Sequence, residues 1–155
     1  MKKLLVLGLV LSMFAGYSQS SKEEVDYYQS IFGMGKKEVV AELISLDAET
    51  KDSFLKIYDE YETSRKELGK DRIILLEKYA NGYESMSAEE LNSIMKESMS
   101  LSVKTDKLIG AYYKRLEKEA GVLAASQFYH IESYLVSEIR VAIFGNIPMM
   151  EKIKK

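Results

Sequence analysis

Few side chains in this chain could do bond-making chemistry. His130 is the only histidine and there is no cysteine, which removes thiol catalysis, thiolate metal sites and disulfides together. No G-x-S-x-G, H-E-x-x-H or phosphate-cradling glycine loop is present. The acidic pairs Glu23/Glu24, Glu60/Glu62 and Glu117/Glu119 stand on a chain that is 30% charged. Close neighbours on a helix do not aim at a common substrate, so these pairs read as solvated faces. His130 has Gln127 and Tyr134 at helical spacing, and a metal-binding role would need ligands from another helix. Met95 and Met99 stand four apart. They suit a soft copper pair, but two methionines at helical spacing more often serve as core filler or an adaptable apolar surface. The residues thus point away from an enzyme, and no cofactor or resident metal is expected.

What remains is a set of large amphipathic side chains on long helices. Phe54, Tyr58, Tyr61, Tyr79, Tyr112, Tyr113, Met95 and Met99 exceed what a thin helical hairpin can bury. Tyrosine offers apolar area with a wet hydroxyl, useful for weak contact with many partners. Of these, Phe54, Tyr58, Tyr61, Met95, Met99 and Tyr112 are the candidate client-binding residues, together with Arg65 and Arg72. The alternative for each is core or dimer interface. The two arginines interrupt the apolar seam of their helix; lining a binding face and pairing with acids on a facing helix stand as equal readings.

The elements that position these residues begin after an export signal. Lys2 and Lys3 precede an apolar run from Leu4 to Ala15, and Gly16 and Ser18 are the small residues of a cut before Gln19. Residues 1–18 are therefore expected to be removed, leaving a single domain at 19–155 with no lipid-modified cysteine and no later apolar run of membrane-spanning length. The whole chain carries 22 Lys+Arg and 24 Asp+Glu. Loss of Lys2 and Lys3 leaves 20 against 24, a net charge of −4. That balance, and the lack of any recognition motif, excludes a general nucleic-acid binder.

The mature chain reads as all-α, with one proline, Pro148, and abundant helix formers. A first helix in two pieces is expected over about 22–44, interrupted at "FGMGKK". A second runs from Asp47, its N-cap, to about Tyr79. Phe54, Tyr58, Tyr61, Arg65, Leu68, Arg72, Leu75 and Tyr79 form its seam at alternating steps of four and three. A third opens at Ser87 with Glu90 completing a capping box and Met86/Leu91 a hydrophobic staple, and ends at Gly121. A fourth runs from about Ala124 to Phe144 on a stripe of Phe128, Ile131, Leu135, Ile139 and Ala142. Gly145, Asn146 and Pro148 stop it, and "EKIKK" is expected to fray into solvent. "LDAET" (46–50) and "MSAEE" (86–90) open the two long helices in similar words, 40 residues apart. They are either a weak internal repeat or the convergence of two amphipathic helices.

These helix openings, with the "SQFYHIESYL" stretch at 126–135, resemble the Spy/CpxP-like family of periplasmic proteins, whose mark is a repeated L-T-x-x-Q motif. Neither copy here is a full match, since Asp47 and Ser87 stand at the Thr position and Thr50 and Glu90 at the Gln position; the capping chemistry is kept. The resemblance implies an elongated, four-helix, hairpin-like subunit that pairs as an antiparallel homodimer. It implies a soluble periplasmic protein that holds unfolded or partly folded envelope proteins without ATP. The alternative is a regulatory protein that docks on a membrane sensor or an anti-sigma partner, with a metal-responsive variant ranked below it. The acidic balance departs from the basic character that helps holding members capture clients. N-terminal sequencing of the exported chain is expected to start at Gln19; a start at Met1 would return residues 1–18 to the folded domain.

Overall fold

The computed structural model describes residues 36–37 and 39–145. Among them, every regular element is helical. A short helix, α1, takes residues 36–37 and 39–43; α2 is Lys51–Gly82 and α3 is Ala88–Gly145. The expected first helix over 22–44 falls mostly outside the described residues.

Local chemistry explains where α2 starts and stops. The Asp47 carboxylate accepts from the amide and the hydroxyl of Thr50, at 2.8 and 2.6 Å. The Asp47 carbonyl already accepts from the Lys51 amide at 3.1 Å, so the helical path begins at Asp47 although regular helix runs from Lys51. At the other end, the Gly82 carbonyl accepts from the Ser85 and Met86 amides, both at 2.9 Å. A Cβ on Gly82 would lie 2.7 Å from the Met86 methyl, a contact that the flexible methionine side chain can relieve by turning aside. Ser87 and Glu90 then start α3 with reciprocal bonds: the Ser87 amide donates to Glu90 Oε2 at 2.9 Å, and the Glu90 amide to Ser87 Oγ at 3.2 Å.

The third and fourth helices expected from sequence form one element, broken at Gly121. Gly121 has φ 84° and ψ 164°, a region almost closed to residues with a Cβ. The break folds the second arm (122–145) back along the first (88–120). Tyr113 meets Tyr129 edge-on and Arg140 pairs with Asp106 at 2.8 Å, so the arms are antiparallel. The first arm is also antiparallel to α2, as the Glu60–Arg115, Tyr61–Tyr112 and Arg72–Ser102 contacts record.

The return of the second arm decides the core. Phe128 inserts between Tyr58 and Tyr61, 6.2 and 5.0 Å between ring centroids and both nearly perpendicular, the favoured edge-to-face arrangement. Val40 from α1, Ile44 just past its end, Phe54 and Ile57 from α2, and Ile109, Leu116, Ala124 and Ala125 complete one cluster. Beyond the reach of the second arm the described residues form a hairpin two helices thick. There a second, smaller cluster of Leu75, Ile94 and Leu101 holds it, flanked by Leu68, Tyr79 and Met86.

Two glycines separate backbone need from accident. Gly121→Ala should cost about 1–3 kcal/mol through its left-handed φ. At Gly110, where a Cβ meets nothing within 4 Å, substitution to Ala should stabilise by about 0.5–1 kcal/mol. Urea unfolding of both variants checks the pair, and equal effects would contradict the break.

Candidate functional site

The most heavily built polar cluster lies where α1, α2 and the second arm meet. Lys36 Nζ donates to Glu62 Oε1 and to Glu132 Oε2, both at 2.7 Å. Tyr58 and Tyr61 donate their hydroxyls to Glu132, at 3.1 and 2.7 Å. Arg65 reaches Glu62 with two bonds, Nε to Oε1 at 2.7 Å and an Nη to Oε2 at 2.9 Å. The ammonium of Lys36 also lies 5.7 and 5.4 Å from the Tyr58 and Tyr61 ring centroids, within cation–π range. Lys36, Glu62 and Glu132 are all buried, Glu132 to 1% exposure. Two cations face two carboxylates, so the cluster is formally neutral, and each glutamate has several donors. That is the condition under which buried charge is tolerated.

Electrostatics favour the charged form of Glu62 and the neutral form of the two tyrosines. Burial works against the charge on Glu62, but the bonds from Arg65 and the nearby Lys36 outweigh it and hold the carboxyl below the usual glutamate range. Burial, followed by the charge of Glu132, pushes both the Tyr58 and the Tyr61 hydroxyls well above the usual tyrosine range. They therefore stay protonated and act as donors. Neither a nucleophile nor a free general base is present in this arrangement: the carboxylates are saturated and the site is closed to solvent. It is a clamp that joins α1, α2 and the second arm.

Several expectations change here. Phe54, Tyr58 and Tyr61, candidates for client contact, are each 0% exposed; the second arm and α1 cover the surface on which a simple hairpin would have left them. Glu62, read as part of a solvated acidic face, is buried in the clamp. Arg65 pairs with an acid on its own helix rather than lining a binding face or bridging to another helix. Arg72 is half-buried and donates to Ser102 Oγ at 3.3 Å. Tyr112 is half-buried against Tyr61, with Arg115 over its ring. Met95 and Met99 are exposed, far along the thin end of the hairpin. His130 is exposed beside Tyr129. Among the described residues no group of three or more His, Asp or Glu is placed to hold a metal ion.

Sequence reasoning missed Lys36, Glu62 and Glu132. Their signal was positional: Glu132 is four residues after Phe128 on the apolar stripe, and Glu62 four after Tyr58.

The exposed apolar side chains form the other candidate site. Leu91, Met95, Met99 and Val103 recur every four residues along the first arm and are all exposed, so they make one ridge of that helix. Among the described residues no helix is long and apolar enough to cross a membrane. No family model matches the chain, and the searches of curated proteins and of solved structures likewise give no match.

Breaking one partner of the clamp strands a buried charge. Lys36→Met should cost about 3–5 kcal/mol, and Lys36→Met with Glu132→Gln less than the sum of the two single changes. Because the Glu62 carboxyl is lowered from 4.5, its contribution is complete above that pH and lost as pH falls through the folded-state value. Urea midpoints should therefore fall in acid, and Glu62→Gln should flatten that slope. An unchanged slope would show that Glu62 does not carry the acid sensitivity.

Proposed function

We propose that this chain is an exported, ATP-independent holding protein that binds unfolded or partly folded envelope proteins in the periplasm, in the manner of the Spy/CpxP-like proteins it resembles. The observation that carries the reading is the exposed ridge of Leu91, Met95, Met99 and Val103 on a two-helix-thick end. Four large apolar side chains in a row are costly to leave in water unless something uses them. Two are methionines, whose unbranched, polarizable side chains adapt to many apolar partners. The saturated, closed state of the buried clamp also favours a binding role over catalysis.

The reading extends to assembly. With its N-terminal part the chain makes a four-helix subunit, and two copies pair as an antiparallel homodimer. The ridge, rather than the tyrosines of α2, then supplies the client contacts, and Arg72 and Tyr112 stand beside the core.

The test uses residues 19–155 and a chemically unfolded model protein, without ATP, at two salt concentrations. Suppression of aggregation at near-stoichiometric ratio is the expected outcome. Met95→Ser with Met99→Ser should weaken it severalfold while leaving helicity unchanged, as exposed substitutions generally alter stability by no more than about 0.5 kcal/mol. A well-folded sample that suppresses nothing would overturn the holding reading in favour of a regulator with one dedicated partner.

A further inference from the structure

The apolar ridge is the unfilled continuation of a groove that the chain's own second arm fills further down. On the first arm, Met99, Asp106 and Tyr113 are seven residues apart, so they share a face with a drift of only about 20° per step. Asp106 and Tyr113 on that face touch the second arm, through Arg140 and Tyr129. Met99 therefore occupies the position the second arm would cover if it were longer. On α2 the same spacing carries Glu62, which joins Glu132 through Lys36, to Gly69, Leu76 and Tyr83. Leu76 therefore lies on the Glu62 face of α2 at the level of the thin end.

The second arm stops short for a measurable reason. Arg140 is level with Asp106, and the five residues to Gly145 advance the helix only about 8 Å. That ends it near Leu101. From there to Ala88 the groove runs about 20 Å along the first arm. Met95 and Met99, in this stretch, are 42% and 62% exposed.

Residues 146–155, "NIPMMEKIKK", begin where the open groove begins. Pro148 disfavours continued helix at the residue before it. Extended, ten residues reach about 33–36 Å, enough to travel the whole groove. The segment opens with four apolar residues in five, Ile147, Pro148, Met149 and Met150, and then carries Lys152, Lys154 and Lys155 against one acid, Glu151. The far end of the hairpin bears Glu84, Glu89 and Glu90, all exposed, against the cations Lys78 and Lys96. The order of the segment, apolar then basic, runs toward the hairpin end where these acids outnumber the cations.

We propose that residues 146–155 dock in this groove, Ile147, Met149 and Met150 against Leu91, Met95 and Met99, and the lysines against the acidic hairpin end. The segment that composition alone sends into solvent then becomes a built-in occupant of the exposed ridge. The docking itself is independent of the holding function; only its consequence, that outside apolar segments must displace this one, rests on that reading.

The absence of cysteine allows a single reporter. Met99→Cys is introduced into residues 19–155, and its rate of reaction with a soluble thiol reagent is compared with that of the same protein carrying Ile147→Asp and Met149→Asp. The expected result is labelling about tenfold faster in the second protein, at every protein concentration, as for a segment docked about ten to one. Circular dichroism checks that both are equally helical. Equal labelling rates would overturn the proposal. Protection that fades on dilution in both proteins would also overturn it, assigning the groove to a second copy of the chain. No client enters the assay, so its failure is separate from a failure to suppress aggregation.

Discussion

The buried carboxylate of Glu132 ties the molecule together. It accepts from Lys36 on α1 and from Tyr58 and Tyr61 on α2, and it is itself carried by the second arm of α3. Three separate segments thus converge on one charge that water cannot reach. An ion buried this deeply is costly, and only a complete set of partners makes it tolerable. The partners must therefore arrive together, which favours one arrangement of the segments over near alternatives that would leave the carboxylate short of a donor. Phe128, one turn before Glu132, works in the same place by packing: its ring sits edge-on to both tyrosines, so apolar contact and polar satisfaction reinforce each other.

That convergence divides the molecule into a thick end and a thin end. Where the second arm lies across α2 and the first arm, large aromatic side chains are fully enclosed. Past its end, two helices share a core of three buried residues and leave a row of apolar side chains in water. The thick end secures the fold, and the thin end carries surface that a partner can use. At the thick end the buried ionisable groups are saturated by one another, and at the thin end the adaptable apolar groups stand open to solvent.

The helix boundaries were legible because they depend on local chemistry. Asp47 and the Ser87/Glu90 pair accept or donate within three residues, and Gly121 departs from the helix because its own φ and ψ permit it. The seam of α2 was legible as a heptad of positions, but not in what each position does. Tyr58 and Tyr61 look alike in sequence to tyrosines at an exposed binding face. What separates them is the second arm, whose fold-back direction depends on a break and on contacts across some seventy residues. Glu62 and Glu132 were misjudged for the same reason. A glutamate at a seam position is an ordinary solvated residue until a lysine from another segment is placed against it.

The sequence by itself determined that this is an all-α chain of long amphipathic helices, where the two long ones start, and that Gly121 interrupts the last of them. These follow from periodicity, capping and backbone freedom, all interactions of short range. Only the tertiary structure decided which apolar side chains are core and which are surface, and which charges are buried. Burial is a property of what lies opposite, and residues 36, 62 and 132 become neighbours only when the chain has folded back on itself at both Gly82 and Gly121.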